Sequence, residues 1–414
     1  SRRWLHGAVT FAAYAALVQS FPVVSVPPQN VALLWLPNAV LAVALLKTGR
    51  RWWWSLWLAG LAGEVVGDGF QGIAPHHALG FGVVNLVEAT ALVLAVQRFA
   101  GPSLMRSVRS VAVLLAAAVT VPAVTGMLGA LGSVIAFGSQ WSHAWPAWWF
   151  GDAIGFVVGV PVGLAALDLS TDVAAERTPA VQRAFTAAGL AAGSVAVALA
   201  VANRLEPSQH VAIAVAVILA LGLGTLGSAL GGMLVALITV VPAVRQVGTL
   251  SVVESQGFLL VVSGAVLFVG AVIEAEHRAV TAMRRTEARL RTTFEDAPIG
   301  MAISDLSPGR SGRWLEVNAA LARTLGRGSA ELLGADPATL LHPDDSAGSG
   351  DQLAALVAGA PGHVDTERRY RHADGHYIWC RVVESVVRDP ASGDASYAVT
   401  QVVDVTATKD LAAA

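Results

Sequence analysis

Several polar side chains lie inside stretches of the sequence that are otherwise apolar, and they are the residues best placed to do chemistry. Residues three apart share one face of a helix, so Asn85 and Glu88 would point in the same direction. Ionisable groups inside a membrane are costly and by default suggest a functional site. Such a group could bind a proton or a polar ligand in the interior of a helix bundle. The candidates are Asn38, Glu64, Asp68, Asn85, Glu88, Trp148, Trp149 and Asp152.

A purely structural interpretation of the same residues stays open. Protonated carboxyl groups and amides can join neighbouring helices by hydrogen bonds without binding any ligand. Three histidines, His76, His77 and His143, could in principle ligate haem or a metal. They lie near the outer ends of the predicted spans, where we expect bystanders and no metal.

About ten apolar stretches are candidates to cross a bilayer and so to position these side chains. A hydrocarbon core of about 30 Å needs about 20 apolar residues per helix. The eighth and ninth stretches are short and meet at a glycine-rich segment, so they could form one tight helical hairpin or a re-entrant segment. The stretches lie near residues 4–20, 30–46, 52–66, 78–97, 110–136, 145–167, 184–202, 210–226, 229–244 and 255–274.

The distribution of charge divides the chain into two parts and orients the first. About 22 charged residues fall in residues 1–275 and about 34 in the remaining 139. Every second loop between the predicted spans is basic, whereas the loops near 21–29, 67–77 and 137–144 contain no Lys or Arg. The positive-inside rule therefore predicts a cytoplasmic N-terminus, and ten spans return the C-terminal part to the cytoplasm. We expect a multi-pass protein of the bacterial inner (cytoplasmic) membrane.

Four blocks of the apolar part resemble the MASE1 family of integral membrane sensory domains. They are Leu-Trp-Leu-Pro-Asn-Ala at 34–39, Gly-Arg-Arg-Trp at 49–52 with Trp-Leu-Ala-Gly at 57–60, Asn-Leu-Val-Glu-Ala at 85–89, and Trp-Trp-Phe-Gly-Asp-Ala-Ile-Gly at 148–155. MASE1 domains occur at the N-termini of bacterial diguanylate cyclases, phosphodiesterases and histidine kinases. The resemblance covers residues 1–275 and implies signal input rather than transport. It leaves the signal open.

Residues 276–297 have the pattern of a helical, coiled-coil-like linker. Apolar residues at the a and d positions of a heptad, namely Val280, Met283, Leu290 and Phe294, favour pairing with a second copy of the chain. Glu287 interrupts one a position. We expect a homodimer that relays the signal through this linker, although an amphipathic helix covering the next domain has the same pattern.

Residues 298–406 resemble the PAS fold, an α+β domain with a five-stranded antiparallel sheet. Strands are predicted over 299–305, 313–317, 364–372, 376–387 and 395–405, with helices over 318–325 and from Pro343 towards Ala358. The Asp-Gly pair at 374–375 is a strong hairpin signal. The resemblance implies that Asp404 and Thr406 connect the sheet to an outgoing signalling helix, which would start within 407–414.

No motif of a cyclase, a phosphodiesterase, a kinase or a P-loop enzyme occurs in the sequence, so we expect no catalytic activity of the chain itself. We expect no flavin, because the lone Cys380 lies within a predicted strand and not on a helix. We expect no haem, because the histidines that could be axial ligands fall on predicted loops or strand ends; they are His342, His363, His372 and His376. A small ligand in either domain stays open. Nothing indicates nucleic-acid binding. The sequence predicts a signal-input and relay module whose stimulus is a proton or small molecule and whose output domain lies beyond Ala414. The alternatives are a PAS-regulated proton- or ion-coupled transporter and a scaffold that localises a partner.

Overall fold

The computed structural model describes residues 3–20, 25–26, 31–101, 104–105, 107–169, 189, 191–195, 205–244, 252–307, 312–360 and 362–413. The chain divides into two units, residues 1–279 and 280–414. The first unit is helical, and the second contains the five-stranded sheet.

Eight helices of the described residues belong to the first unit, and the last of them, Val252–Glu295, continues into the second unit. Five of them are long and apolar enough to cross a membrane: α4, α5, α6, α7 and α8. The predicted span at 184–202 lies almost wholly outside the described residues, of which 191–195 are helical. The bounds are α1 Arg3–Gln19, α2 Pro37–Lys47, α3 Trp53–Phe70, α4 Pro75–Phe99, α5 Val108–Phe137, α6 Trp141–Leu169, α7 Leu205–Val244 and α8 Val252–Glu295.

The second predicted span is wrong at its start. Helix α2 begins at Pro37 rather than near residue 30, and the two-residue strands β1, Ser25–Val26, and β2, Val31–Ala32, pair before it. Proline is favoured at the first helical position, because its fixed φ suits the helix and the N–H that it lacks would have no partner there. The helix therefore starts at Pro37, and Trp35 donates its backbone N–H to the Gly151 carbonyl oxygen at 3.0 Å.

Helix α7 folds back on itself at its glycine-rich segment. Gly224 has φ +57° and ψ −130°, a conformation that breaks the helix and favours glycine. A Cβ atom placed on Gly227 would lie 1.8 Å from the Leu219 carbonyl oxygen, and one on Gly231 would lie 2.6 Å from Ala216 Cα. Residues eight and fifteen apart meet in this way only if the two arms fold back on each other. This fold agrees with the predicted break, and both a transmembrane hairpin and a re-entrant segment have it.

The second unit contains one sheet of five antiparallel strands in the order β4-β3-β7-β6-β5, which confirms the predicted sheet. The hairpin predicted around Asp374-Gly375 joins β5 and β6, with Tyr370 opposite Ile378. The core between the sheet and its helices includes the fully buried Trp314 and Cys380. The strand bounds are β3 Gly300–Asp305, β4 Trp314–Val317, β5 Val364–Arg371, β6 Tyr377–Arg388 and β7 Ala395–Asp404.

The helices of this unit are short, and one prediction about them is wrong. The single helix expected from Pro343 towards Ala358 is two helices, because Gly348 at φ +80° interrupts it. The helix predicted over 318–325 forms as expected, with Asn318 as its N-cap and Gly326 in the left-handed conformation after it. The bounds are α9 Ala319–Leu325, α10 Ser329–Leu332, α11 Pro343–Ser346, α12 Ser349–Val357 and α13 Thr406–Ala413.

Asn318 joins the end of α8 to the sheet and to α9. Its Oδ1 accepts from the backbone N–H groups of Met301 and Leu321, both at 2.9 Å. Its Nδ2 donates to the carbonyl oxygens of Phe294, at 3.0 Å, and Ile299, at 2.9 Å. The side chain is fully buried, and its polar atoms are all hydrogen-bonded, as buried polar groups in folded proteins usually are.

We expect Asn318→Ala to lower the free energy of unfolding of the second unit by about 3–4 kcal/mol, because four buried hydrogen bonds worth about 1 kcal/mol each are lost. Asn318→Ser, which keeps the helix cap but loses both amide donors, should cost about half as much. Hydrogen–deuterium exchange of strands β3, β6 and β7 in the full chain measures this. Equal protection in wild type and Asn318→Ala would contradict the prediction.

Candidate functional site

The site is a cluster of carboxyl and amide side chains in the interior of the helical unit, with Asn38 at its centre. Asn38 lies in the first turn of α2 and is fully buried. Three oxygen atoms from two other helices surround its Nδ2 atom. They are Glu88 Oε1 at 3.1 Å, Asn85 Oδ1 at 3.2 Å and Asp152 Oδ1 at 3.4 Å. An amide nitrogen has only two hydrogens, so at least one of them is shared.

Further hydrogen bonds extend the cluster to α1, α3 and α5. The Tyr14 hydroxyl donates to Asn38 Oδ1 at 3.3 Å, and Asn85 Nδ2 donates to Glu64 Oε1 at 3.0 Å. The Thr125 hydroxyl contacts Glu88 Oε2 and lies 2.9 Å from the Val121 carbonyl oxygen. We call Asn38, Glu64, Asn85, Glu88 and Asp152 the carboxyl–amide cluster.

Glycines on α6 bring α2 close enough for these contacts. They follow one another at every fourth residue, so they share one face of the helix. A Cβ atom on Gly155 would lie 1.9 Å from the Trp35 carbonyl oxygen, and one on Gly159 would lie 2.5 Å from Ala39 Cβ. Small residues at such spacing allow two membrane helices to pack backbone to backbone. Asp152 is therefore carried into contact with Asn38. The glycines are Gly151, Gly155, Gly159 and Gly163.

The cluster contains three carboxyl groups and, among the described residues, no basic partner. Glu88 is fully buried, and Glu64 and Asp152 are each 2% exposed. The ion pairs formed by described residues all lie elsewhere. Within the same ranges, Glu64 Oε2 and Asp152 Oδ2 have no hydrogen-bond partner. Charges buried in this way need compensation, because their desolvation is expensive.

Three of the predicted candidates lie outside the hydrogen-bonded cluster. Asp68 is buried one helical turn beyond Glu64 on α3. Trp148 Nε1 donates to Ser133 Oγ and Trp149 Nε1 donates to the Val119 carbonyl oxygen, both at 2.9 Å, so these indoles fasten α6 to α5.

Two members of the site, Tyr14 and Thr125, were missed from the sequence. Tyr14 is the only tyrosine within residues 1–275, which was a usable signal. Thr125 carried no such signal, because a threonine hydroxyl in a helix commonly bonds to the carbonyl group four residues earlier, as Thr125 also does with Val121.

The predicted relay residues of the linker lie on α8 with exposed apolar side chains. Val280 is 43% exposed, Met283 73% and Leu290 66%, whereas Phe294 is half-buried. Exposed apolar residues at this spacing on one chain leave a helix face available for packing.

The other relay residues lie where the sheet meets α13. Asp404 Oδ1 accepts from the Thr406 backbone N–H at 2.8 Å, and Thr406 Oγ1 accepts from the Trp379 N–H at 2.9 Å. Lys409 lies 5.2 Å from the centre of the Trp379 ring and pairs with Glu367 at 2.5 Å. These contacts hold the first turn of α13 against strands β5 and β6.

The second unit provides the described side chains that could hold a metal ion. His372, Asp374 and His376, at the β5–β6 turn, have ligand atoms within 4.8 Å of one another. Asp374 Oδ1 already lies 2.9 Å from His372 Nδ1 and 2.5 Å from His376 Nδ1. Hydrogen bonding from His372, and then from His376, holds the pKa of the Asp374 carboxyl below its usual value. The contacts among these three side chains therefore stabilise the β5–β6 turn.

Cys380 does not have the properties of a reactive cysteine. It is free and fully buried in strand β6. Burial raises the pKa of its thiol to about 12, so the reactive thiolate is scarce at neutral pH.

Comparison with protein families identifies the first unit. The MASE1 model matches residues 4–277, about two thirds of the chain. The chain belongs to the MASE1 family. A model described as PAS fold matches residues 315–400, within the unit that has the five-stranded sheet. The protein is therefore a multi-pass membrane protein of the sensory signal-transduction class, with a MASE1 domain followed by a PAS domain.

Similarity to individual proteins is limited to part of the chain. The probable diguanylate cyclase DgcE of Escherichia coli K12 is 31% identical over 120 residues, which are 29% of this chain and 10% of that protein. The PAS domain of an HTR-like protein from Haloarcula marismortui is 20% identical, covering 31% of this chain and 98% of that chain, with a TM-score of 0.25. The N-terminal domain of a diguanylate cyclase with a PAS/PAC sensor from Marinobacter aquaeolei is 21% identical, covering 27% and 98%, with a TM-score of 0.24.

Proposed function

We propose that this chain is the signal-input and relay part of a bacterial signalling protein. The MASE1 domain receives a stimulus in the inner membrane, and the PAS domain passes it to a C-terminal output domain that turns over cyclic-di-GMP or acts as a histidine kinase. The observation that carries the proposal is the order of the two domains, MASE1 and then PAS, with the boundary between their units inside the single helix α8. The partial likeness to a probable diguanylate cyclase supports the first type of output.

The PAS domain lies in the cytoplasm in this proposal. Basic residues occur in every second loop of the MASE1 domain, and Arg278, Arg284 and Arg285 follow its last apolar stretch. Cytoplasmic segments of membrane proteins carry such an excess of Lys and Arg. Labelling of a cysteine introduced at the exposed Arg285 in intact cells tests it, because a membrane-impermeant reagent should not reach that position.

The occupant of the exposed apolar face of α8 is a second copy of this chain. Val280, Met283 and Leu290 recur at heptad spacing, which is the pattern of helices that pair in a parallel coiled coil. A paired helix can pass a rotation or a shift from one domain to the next as a choice between two packed states. A monomer by light scattering in detergent would reject this arrangement.

The input site is the carboxyl–amide cluster. It is buried and polar, and four helices, α2, α3, α4 and α6, supply its side chains. Hydrogen bonds from Tyr14 and Thr125 connect it to α1 and α5. A stimulus acts only through different affinities for two states of the protein, and a site that joins several helices can have such a difference.

A fusion of the full chain to a diguanylate cyclase catalytic domain tests the input role. In a host without other cyclases, we expect Glu64→Gln to change the cyclic-di-GMP level about fivefold or more relative to the wild-type fusion, the lower end of typical coupling between sites. Glu316→Gln, the same change at an exposed position of strand β4 outside the cluster and the linker, is the matched control and should leave the level unchanged. Equal levels in the fusions carrying wild type, Glu64→Gln and Asp152→Asn would reject the input role.

A further inference from the structure

We propose that the ligand of the carboxyl–amide cluster is the proton, taken up and released by Glu64, Glu88 and Asp152. This inference deepens the proposed function, since it rests on the cluster being the input site. It states what the site binds and which side chains bind it.

The first argument is the balance of charge. Three carboxyl groups lie together in the protein interior, and the described residues supply no arginine, lysine or histidine as an ion-pair partner for them. Asp152 lies close enough to Glu88 and Glu64 for their charges to repel. Like charges at a shared buried site cannot all stay ionised, because each ionised group raises the cost of the next. Some positive charge must therefore enter the cluster.

The second argument is the location of the unpartnered oxygen atoms. Glu64 Oε1 and Asp152 Oδ1 each accept from an asparagine amide, whereas the second oxygen of each carboxyl group, Oε2 and Oδ2, has no donor among the described residues. A buried acceptor without a donor is costly when its group is charged. Protonation at that oxygen removes the charge and leaves the amide contact in place.

The third argument separates a proton from a metal ion. A hard cation such as Ca²⁺ or Mg²⁺ requires several oxygen ligands at about 2.0–2.6 Å from one point. The point between the oxygens of Asn85, Glu88 and Asp152 is already occupied by Asn38 Nδ2, at 3.1–3.4 Å from each of them. A metal ion would have to displace this amide group, whereas a proton needs no additional space.

The titratable groups facing the cluster from every helix packed against it are acidic or phenolic. Helix α1 contributes Tyr14, α3 contributes Glu64 and Asp68, α4 contributes Glu88 and α6 contributes Asp152. Helices α2 and α5 contribute Asn38 and Thr125, which do not titrate in this range. Loss of a proton therefore adds negative charge that nothing nearby offsets. We expect the helices to pack most closely when the cluster is protonated and to separate as the pH rises.

Infrared difference spectroscopy of the full chain in lipid nanodiscs tests the proposal. We expect a carbonyl band of protonated carboxyl groups that decreases as the pH is raised and that shifts in D₂O. Glu64→Gln and Asp152→Asn should each remove part of this band, and the control Glu316→Gln should leave it unchanged. No pH-dependent band from a buried carboxyl group in the wild type would overturn the proposal, a result that does not depend on whether any variant folds.

Two further outcomes separate this inference from the proposed function. Binding of Na⁺ or Ca²⁺ by the wild type that is lost in Asp152→Asn, without a titrating band, would overturn the proton as ligand and leave the input role standing. A titrating band together with cyclase output that is the same in all cluster variants would support the proton site and reject the input role.

Discussion

Replacing Asn38 with leucine should lower the free energy of unfolding of the MASE1 domain by about 3–4 kcal/mol. The bonds of Asn38 to four buried partners are worth about 1 kcal/mol each, and the three that Nδ2 donates share two hydrogens. Leucine branches at Cγ as asparagine does and has the same number of side-chain heavy atoms, so the change removes the amide without opening a cavity. The lost partners are Tyr14, Asn85, Glu88 and Asp152. Two of them are carboxyl groups, which would then lie buried without a donor from α2. Denaturant unfolding of the full chain in detergent measures the loss.

We also expect the loss of stability in Asn38→Leu to depend on pH. When the carboxyl groups are protonated, the removal of an N–H donor leaves neutral groups rather than charges unpaired, and the loss should be smaller. The loss should therefore increase with pH. Thr120→Val is the control, because the Thr120 hydroxyl donates only to the Ala116 carbonyl oxygen of its own helix. A loss in Asn38→Leu no larger than in Thr120→Val would show that the cluster does not stabilise the fold.

The candidate residues of the cluster could be selected from the sequence because polar side chains are rare within apolar spans. Five of the eight candidates lie in one hydrogen-bonded group, although they come from four helices. The polar residue type and the position of each residue within a predicted apolar span were sufficient to select them. The bonding partners were not predictable, because they depend on how the helices are rotated. Trp148 and Trp149 neighbour Asp152 in the sequence, but their indoles point towards α5.

The predicted helix bounds are wrong where a single residue determines the backbone conformation. Pro37 occupies the first helical position of α2 and Gly348 divides a predicted helix in two, and both effects have local physical causes that the sequence contains. The break at Gly224 fits both arrangements left open, since glycines alone do not distinguish a transmembrane hairpin from a re-entrant segment. The five strands were predictable because the alternation of apolar and polar residues is local, and antiparallel hairpins join neighbours in sequence.

The glycines of α6 carry the information that was overlooked in the sequence. They recur at every fourth position from Gly151 to Gly163, a spacing that is typical of close packing between membrane helices. This spacing predicts which face of α6 meets α2, and therefore that Asp152, which follows the first glycine, lies near Asn38. Of these four glycines, Gly155 is the one on which an added Cβ would come closest to a neighbouring atom, the Trp35 carbonyl oxygen.

Gly155→Ala should destabilise the MASE1 domain by about 3 kcal/mol or more, at or above the upper end of the range typical of overpacking, because the added methyl group enters a site that cannot yield. Its Cβ would lie 1.9 Å from the carbonyl oxygen and 2.7 Å from the carbonyl carbon of Trp35. These are main-chain atoms, so no rotamer change relieves the overlap. Helix α6 must move away from residues 31–36, which stretches the Trp35 N–H bond to Gly151 and the contact of Asp152 with Asn38.

Gly80→Ala makes the same substitution within a helix at a position where a Cβ meets nothing within 4 Å, so it is the matched control. Alanine favours helix over glycine by about 1 kcal/mol, and we therefore expect Gly80→Ala to be neutral or slightly stabilising. The two variants should thus shift the midpoint of denaturant unfolding in opposite directions. If Gly155→Ala also stabilised the protein, α6 could not be packed against the backbone of Trp35 just before α2, and the close approach that brings Asp152 to Asn38 would be wrong.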